Sequence, residues 1–240
     1  MHIEKEKVYD YLKSIGVKHL YHANTVQTSC TFIQNGGLLS RGDVERRNLL
    51  QTVQDSDDSD KLYDVWDDIF LDSVDLHEYF SRQNYYGPVV FKFKIEVLLH
   101  TSLPDLWITK DNPFYWNDSQ NSNERYFSSI NELVSDYCNE RQKKMITLRK
   151  TMEVLPFNPY LEAIIFDNPN VIVGDIDLYS KGKMILEECL VRNGMSTNLL
   201  HIRKCENCYC HSNYLYQVGG KRLKKLFLWD NDLVPMLPIV

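Results

Sequence analysis

Glu162 is the first residue whose type and surroundings could do chemistry. It stands within the apolar segment 160–166 (YLEAIIF), where burying a carboxylate without a partner would be costly. The carboxylate therefore either faces solvent at the entrance of a strand or faces a cleft. In a cleft it could stabilise a developing positive charge or accept a proton. The segment alone favours the solvent-facing position and leaves both open.

His22 and Arg47 are the other candidates. His22 lies in segment 20–24 (LYHAN), at a predicted junction of strand and helix, where ligand-binding side chains often gather. Arg47 follows Arg46 in segment 44–48 (VERRN). Taken singly, a lone histidine is more often structural and two adjacent arginines form an ordinary surface pair. A functional role therefore depends on their combination with the carboxylate.

Three cysteines and a histidine crowd into segment 205–211 (CENCYCH) and could ligate a metal. Structural zinc sites usually combine two well-separated ligand pairs, whereas no second CxxC or HxxxH pattern occurs in this chain and His201 is the nearest further candidate. We therefore predict reduced thiols and no bound metal, with zinc as the alternative. The charged N-terminal segment MHIEKEK does not resemble a secretion signal, so we expect a cytoplasmic protein. The cysteines are Cys30, Cys138, Cys189, Cys205, Cys208 and Cys210.

Composition and motifs exclude several classes of protein. The chain has 240 residues and is 43% hydrophobic, enough for one sizeable core, but no apolar run is long enough for a membrane helix. A net charge of −6 argues against indiscriminate binding along nucleic-acid phosphates and still permits a local basic groove. The P-loop, GxGxxG, HExxH and GxSxG motifs are absent. The charged segments, each most simply a solvated face, are 54–60 (QDSDDSD), 141–150 (RQKKMITLRK) and 221–225 (KRLKK).

Hydrophobic periodicity predicts the elements that must position these residues. Strands and helices mix irregularly, which favours an α+β domain over repeated βαβ units. No repeat and no Gly- or Pro-rich linker divides the chain, so we expect one domain. The predicted helices are 3–15, 25–35, 125–139 and 183–191, and the predicted strands are 17–21, 89–95, 160–166, 171–178 and 199–203.

The order of these fragments resembles the DarT toxins, ADP-ribosyltransferases that act on nucleic-acid bases. The similarity covers about residues 18–206. Two departures bear on the choice of target: Asn24 stands where the family often has threonine, and Asn112 replaces a further histidine, so it can donate a hydrogen bond but cannot take a proton. The segments that carry the resemblance are 20–24 (LYHAN), 33–40 (IQNGGLLS), 45–48 (ERRN), 69–71 (IFL), 89–93 (VVFKF), 160–165 (YLEAII), 175–180 (DIDLYS) and 200–204 (LHIRK).

The resemblance implies a fold, a co-substrate and roles for individual residues. We expect a single ADP-ribosyltransferase-like domain over residues 1–240, α+β in class, with a split, mixed β-sheet flanked by helices and a C-terminal extension at 207–240. NAD would be the co-substrate, Glu162 the catalytic carboxylate and Arg47 its basic partner. Arg46 or Arg41 could replace Arg47, because the arginine segment follows the glycine stop sooner than in the family. The predicted NAD-binding residues are His22, Asn24, Gly37, Leu39 and Arg47.

The chemistry of NAD explains why such residues would be needed. Breaking the bond between nicotinamide and ribose leaves positive charge on the sugar, and a fixed carboxylate stabilises that transition state more than the ground state. Glu162 could also take the proton from the incoming nucleophile. Arg47 can pair with phosphate oxygens through two N–H groups.

Single-stranded DNA or RNA is the expected target, because the modified base must be unstacked. The basic run 141–150 falls where this type of fold carries its target-reading loop, and nearby apolar rings could stack on bases. The predicted stacking residues are Tyr126, Phe127, Tyr137 and Met145. The predicted nucleic-acid contacts are Asn112, Lys143, Lys144, Arg149 and Lys150.

Two alternatives remain open at this point. The first is transfer of ADP-ribose to a protein side chain, and the second is a non-catalytic binding module that retains the fold. The family's toxicity further implies a neutralising antitoxin protein and a role in bacterial or phage conflict. The apolar tail 226–240 could dock on a partner, although we expect it to pack on its own core.

Overall fold

The computed structural model describes residues 1–203 and 208–229, in which β-strands and helices mix irregularly along the chain. The strands are β1 (His19–Asn24), β2 (Gly37–Leu38), β3 (Ile69–Asp72), β4 (Val89–Lys94), β5 (Trp107–Ile108), β6 (Met145–Leu148), β7 (Leu155–Pro156), β8 (Leu161–Asp167), β9 (Ile172–Val173), β10 (Ile176–Asp177) and β11 (Leu200–Arg203).

The α-helices are α1 (Lys5–Ser14), α2 (Val26–Gln34), α3 (Arg41–Arg46), α4 (Asp57–Leu62), α5 (Leu76–Phe80), α6 (Ser122–Arg125), α7 (Ile130–Asp136), α8 (Leu178–Arg192), α9 (Cys210–Asn213) and α10 (Gly220–Phe227). Short 3₁₀ turns occupy Ile95–Leu99, Pro113–Tyr115, Arg141–Lys143 and Thr197–Leu199, and a π-helical turn occupies Tyr214–Val218. No helix in the described part of the chain is long and apolar enough to cross a membrane.

Seven strands form one mixed sheet in the order β11-β8-β4-β1-β3-β6-β5. Only the β11–β8 pair of this sheet is parallel, and the other pairs are antiparallel. Two small two-stranded sheets, β9–β10 and β2–β7, complete the fold. The predicted α+β class, with a mixed sheet flanked by helices in one domain, is confirmed.

The large sheet is weakest between β1 and β3. Strand β1 pairs with β4 over six residues but with β3 at one position, where Tyr21 faces Asp72. Beside that position the side chain of His22 bridges the two strands, since its Nδ1 donates a hydrogen bond to the carbonyl of Phe70 at 2.9 Å. His22 therefore lies at the place where the sheet divides.

The two faces of the sheet differ in chemistry because side chains alternate along each strand. On one face Phe91 packs against Phe32 of α2 and stacks on Phe157, with ring centroids 5.9 and 5.2 Å away. On the other face Tyr21 lies opposite Lys92 in the β1–β4 register. The α2 side thus carries an aromatic core, and the part of the opposite face formed by β1 and β4 presents polar groups.

Helices α8 and α10 close the far end of the core. Phe166 of β8 stacks on Tyr179 and contacts Phe227, at centroid distances of 5.3 and 5.7 Å. The first part of the predicted C-terminal extension therefore belongs to the same core, as expected for the start of the apolar tail, where Leu226 and Leu228 are also buried. Residues 230–240 of that tail lie outside the described residues.

Most elements differ by a few residues from their predicted bounds, and three of these differences have a clear local reason. The helix predicted over 125–139 covers only α7, because Ser129 caps its start by accepting from the backbone N–H of Glu132. The strand predicted over 171–178 is the β9–β10 hairpin, with Gly174 in the left-handed region at φ 63°. Asp177 then caps α8, so this helix begins earlier than predicted.

Candidate active site

Glu162 occupies a β-bulge in an interior strand. Lys92 of β4 pairs with Ala163 and Phe93 pairs with Leu161, so Glu162 is the extra residue of β8. A bulge re-aims the side chain of the inserted residue. The Glu162 carboxylate accordingly lies on the polar face of the sheet, where it is 38% exposed. The solvent-facing alternative describes this position better than an enclosed cleft does.

Two basic side chains hold the Glu162 carboxylate. The Nζ of Lys92 donates to Oε1 at 2.5 Å, and the Nε2 of His19 lies 3.0 Å from Oε2. The hydrogen bond from Lys92 is the main reason why the pKa of Glu162 is lowered. Its carboxylate is therefore ionised at neutral pH and its position is fixed, as a group that stabilises positive charge must be.

Tyr21 lies next to this group on β1 and was not singled out from the sequence. Burial, with smaller contributions from the negative charges of Asp75, Glu78 and Glu162, raises the pKa of its hydroxyl to about 12. The hydroxyl therefore remains a hydrogen-bond donor at neutral pH. Its place in LYHAN was visible, but its approach to Glu162 depends on strand pairing. We call Glu162, Lys92, His19 and Tyr21 the carboxylate cluster.

Arg47 is not part of the carboxylate cluster. It ends α3, where its Nη2 lies 2.8 Å from Asp43 Oδ2 and donates to the carbonyl of Met152 at 3.3 Å. These partners belong to α3 and to the chain just before β7, whereas those of Glu162 belong to β1 and β4. The structure therefore does not bring Arg47 to Glu162, and the basic partners of Glu162 are Lys92 and His19.

Arg41 is the arginine that lies close to His22. Its guanidinium is largely buried, forms an ion pair with Asp57 at 2.7 Å and donates to the carbonyl of Thr52 at 3.1 Å. Its Nε and Nη1 are buried, and no described residue accepts a hydrogen bond from them. Two buried N–H groups without a partner can accommodate an anionic oxygen. Arg41, one of the two alternatives to Arg47, thus fits phosphate better.

His22 is neutral and its orientation is fixed. Burial, together with a smaller contribution from the charge of Arg41, lowers its pKa to about 4. Because Nδ1 donates to Phe70, Nε2 is the accepting nitrogen, and the amide of Asn24 donates to it at 3.4 Å. The Oδ1 of Asn24 accepts from the backbone N–H of Thr25 at 2.9 Å. His22 and Asn24 thus lie side by side on β1, and their binding of NAD stays a prediction.

Gly37 and Leu39, both predicted to bind NAD, are packed against other parts of the protein. A Cβ on Gly37 would lie 2.2 Å from the carbonyl oxygen of Leu155, so glycine is needed for the close approach of β2 and β7. Leu39 is buried in the core. Neither residue lines the cavity described next.

A cavity of about 600 Å³ lies beyond the end of β1. Its volume is typical of small-molecule sites, roughly 300–1,000 Å³. Five of its lining residues are aromatic and four are cationic, whereas Asp55 is its one acidic lining residue within the described part of the chain. Neither Glu162 nor Arg47 lines it. The aromatic residues are Phe80, Tyr85, Tyr86, Phe114 and Tyr115, and the cations are Arg82, Lys143, Arg222 and Lys225.

The composition of this wall was not foreseen from the sequence. Phe114 and Tyr115 are each 62% exposed, an unusual position for large rings. Segment 221–225, expected to be a solvated face, contributes Arg222 and Lys225, while Leu223 between them packs into the core. Loops far apart in the chain meet here, so periodicity gave no signal of the cavity.

The predicted nucleic-acid contacts divide into two groups. Asn112 and Lys143 line the cavity. Lys144 is buried, and its ammonium group binds the Asp136 carboxylate at 2.7 Å as well as two carbonyl oxygens. Arg149 is held by Asp68 at 3.1 Å. Both side chains therefore have structural partners.

The basic run 141–150 is not a single loop, because only its ends lie in turns. Its centre forms β6, of which all four residues are buried between β3 and β5. Lys150, at its end, forms an ion pair with Asp64 at 2.8 Å and does not line the cavity. The proposed stacking residues are buried as well, so the expectation that they contact bases is wrong: Tyr126, Phe127, Tyr137 and Met145.

Asp72 is a further carboxyl group close to the cavity. It is buried, and burial raises its pKa to about 8, with the negative charge of Asp75 adding to the effect. Its charge in turn raises the pKa of Tyr86, a lining residue. Carboxyl groups perturbed in this way next to a cavity are candidates for acid–base work.

The thiols of the CENCYCH segment have a neighbour that the sequence did not suggest. His77 of α5 lies beside Cys208 and Cys210, and the ligand atoms of these three residues are within 4.8 Å of one another. His211 instead lies 2.9 Å from the carbonyl of Pro169 through its Nδ1. Cys205 lies outside the described residues.

Comparison with known proteins adds no assignment: no family model and no curated protein matches this chain.

Proposed function

We propose that the protein is an NAD-dependent ADP-ribosyltransferase that modifies a base in single-stranded DNA or RNA. The observation that carries the proposal is the cavity, whose wall combines aromatic rings and cations in a chain of net charge −6. Such a wall is suited to a ligand with flat bases and phosphates. The resemblance to DarT toxins supplies the reaction, and with it a role as a toxin that is neutralised by an antitoxin protein.

Arg41 supports binding of a dinucleotide at this place. Its partner Thr52 lines the cavity, so the guanidinium lies directly behind the wall. Asn24 is joined to the same wall, since Gln54, a lining residue, donates to its Oδ1 at 3.3 Å. We assign the diphosphate to Arg41 and the cavity cations, and the ribose and nicotinamide amide to His22 and Asn24.

The reaction would break the bond between ribose C1′ and the nicotinamide nitrogen. The bonding electrons leave with nicotinamide, a nitrogen of the target base forms the new bond to C1′, and that nitrogen loses its proton. The resemblance assigns stabilisation of the positive sugar to the Glu162 carboxylate, which is already ionised but lies outside the cavity lining, so this role requires the ribose of NAD to extend beyond the cavity. Tyr21 would donate to the sugar or the carboxylate. The cation Lys92 opposes this role for as long as it binds Glu162, so substrate must displace it.

The test is incubation of the protein with labelled NAD⁺ and separate pools of single-stranded DNA, RNA and protein. We expect label on one nucleic acid pool and release of nicotinamide, both lost in Glu162→Gln. Glu96→Gln is the matched control, because Glu96 is an exposed acid that lies outside the carboxylate cluster and accepts a hydrogen bond from Tyr9. Label on the protein pool alone would overturn the proposed target and keep the enzyme class.

A non-catalytic binding module is the second candidate. The observation that favours it is the Glu162 carboxylate itself, which is bound by Lys92 and His19 and has no arginine partner among the described residues. This candidate predicts that the wild type binds single-stranded oligonucleotides and releases no nicotinamide with any pool. Nicotinamide release that Glu162→Gln abolishes would exclude it.

A further inference from the structure

We infer that His77, Cys208 and Cys210 form a zinc site that fastens helix α5 to the C-terminal segment. The three side chains lie together although 131 residues separate His77 from Cys208. Imidazole nitrogen and thiolate sulfur are the ligands that zinc prefers in proteins. The inference does not depend on the proposed ADP-ribosyltransferase activity.

The spacing of the ligand atoms suits a tetrahedral ion. With zinc–nitrogen and zinc–sulfur bonds of about 2.0 and 2.3 Å, nitrogen and sulfur ligands of one ion lie about 3.5 Å apart. The Nε2 of His77 is 3.1 Å from the Sγ of Cys208, and all three ligand atoms lie within 4.8 Å of one another. Placing them around one ion would take a shift of a few tenths of an ångström between His77 and Cys208 and of up to about 1 Å for the longest separation.

The orientation of His77 is the one that zinc-binding histidines adopt. Its Nδ1 lies 2.5 Å from Oδ2 of Asp167, a fully buried carboxylate that also accepts from Nε of Arg203 at 2.8 Å. A hydrogen bond to this acceptor oxygen places the proton on Nδ1, and Nε2 then presents its lone pair to the cysteines. A carboxylate behind the histidine is the common second layer of zinc sites.

The surroundings of Cys208 and Cys210 also suit metal ligands. The backbone N–H of Cys210 points at the sulfur of Cys208, 3.2 Å away. Such a hydrogen bond orients the sulfur, as outer-layer contacts of metal ligands do. Cys210 is buried and Cys208 is partly buried, so an ion here would be shielded from solvent. The described residues supply three ligands, and a tetrahedral ion would take a fourth ligand besides them.

A consequence for the fold follows from the elements that carry the three ligands. His77 is in α5, which contributes Leu76 and Phe80 to the cavity, and α9 begins at Cys210. Helix α10, with Arg222 and Lys225 on the same cavity, follows shortly after α9. A metal joining α5 to α9 would therefore hold two walls of the cavity together.

The first experiment measures zinc in the full-length wild-type protein, produced with zinc supplied and dialysed without chelator. We expect equimolar zinc by atomic emission spectroscopy. After replacement by cobalt, we expect the absorption bands of cobalt–thiolate bonds. Wild-type protein that is folded but contains no zinc and shows no cobalt–thiolate band overturns the inference, and so does a disulfide between Cys208 and Cys210 under reducing purification.

Variants then assign the ligands. Cys208→Ser and Cys210→Ser should each lose most of the bound zinc and weaken the cobalt–thiolate band. Cys138→Ser is the matched control, since Cys138 is an exposed thiol outside the cluster, and it should keep both signals. His77→Gln should reduce zinc while the cobalt–thiolate band persists at a shifted wavelength. Circular dichroism of each variant separates loss of metal from failure to fold, and folded serine variants with full zinc content would contradict the assignment.

Discussion

Lys92 and Glu162 face each other across a β-bulge, with the ammonium nitrogen 2.5 Å from the carboxylate oxygen. The pairing does two things to the candidate catalytic group. It keeps the carboxylate ionised and in one position, and it offsets the negative charge that a cationic transition state would need. The function of the site depends on which effect prevails when substrate is bound.

Replacing Lys92 should raise the pKa of Glu162. The hydrogen bond from Lys92 is the first cause of the lowered value, so Lys92→Met should bring the pKa back towards that of an ordinary glutamate. Carbon-13 NMR titration of the side-chain carboxyl groups measures this shift directly. Lys94→Met is the control, because Lys94 is an exposed lysine two residues further along β4. An unchanged Glu162 pKa in Lys92→Met would mean that His19 or the backbone, and not Lys92, fixes the charge.

The adjacent lysines Lys143 and Lys144 should behave oppositely. Lys144→Met removes a buried ammonium with three oxygen partners, so it should lower the free energy of unfolding by about 1–3 kcal/mol. Lys143→Met removes an exposed cation of the cavity, so the free energy of unfolding should change by no more than about 0.5 kcal/mol. Urea denaturation gives both values.

The effects of the two substitutions should rank in the opposite order when nucleic-acid binding is measured. Lys143→Met should weaken binding of a single-stranded oligonucleotide and reduce its dependence on salt, by roughly 0.7 in the logarithmic slope if one phosphate contact is lost. Folded Lys144→Met should bind as the wild type does. Fluorescence anisotropy at several salt concentrations provides the comparison, and a larger binding loss in Lys144→Met would contradict the cavity as the binding surface.

The exposed aromatic rings of the cavity should stabilise a bound oligonucleotide by stacking on its bases. Phe114→Ala and Tyr115→Ala should each weaken binding of a single-stranded oligonucleotide by about 1–3 kcal/mol, or about 5- to 150-fold, if a base stacks on that ring. Tyr216→Ala is the control, since Tyr216 is 86% exposed and lies outside the cavity lining. Equal affinities in all three variants would remove the cavity rings from the binding surface.

Asp72 should make stability fall as pH rises. An unfolded aspartate has a pKa of about 3.9, whereas that of Asp72 in the folded protein is about 8. Between these values the folded state holds a proton that the unfolded state lacks, so the free energy of unfolding decreases with increasing pH and levels off above about pH 8.

Asp72→Asn should remove this pH dependence, because the amide stays neutral. The variant should be more stable than the wild type near about pH 8, by an amount on the order of 1–3 kcal/mol. Urea denaturation at a series of pH values tests the slope. Asp10→Asn, on the exposed side of α1, should keep the wild-type slope. A wild-type slope in Asp72→Asn would assign the effect to another group.

Much of the secondary structure could be predicted from local patterns in the sequence. The alternation of Phe91, Lys92 and Phe93 predicts β4 because period two is a local property of a half-buried strand. Thr25, which accepts from the backbone N–H of Thr28, and Gly36, with φ 68°, similarly bound α2. The α+β class follows from the irregular mixture of such signals.

The composition of the site could not be predicted from the sequence where it depends on contacts between separate strands and loops. Glu162 was identifiable as a carboxylate in an apolar segment, but its partners Lys92 and His19 were set by strand order and by a bulge that shifts the register by one residue. Choosing Arg41 over Arg47 likewise required knowing which guanidinium is buried beside His22.

What the sequence determined by itself is therefore local: the kinds of element, their approximate ends and a short list of reactive side chains. The tertiary structure alone decided which of them share a site. It placed His77 beside cysteines 131 residues away and gathered the cavity rings from loops with no common pattern. The physical reason is that periodicity and capping act over a few residues, whereas a site is formed by packing between segments whose separation in the chain carries no signal.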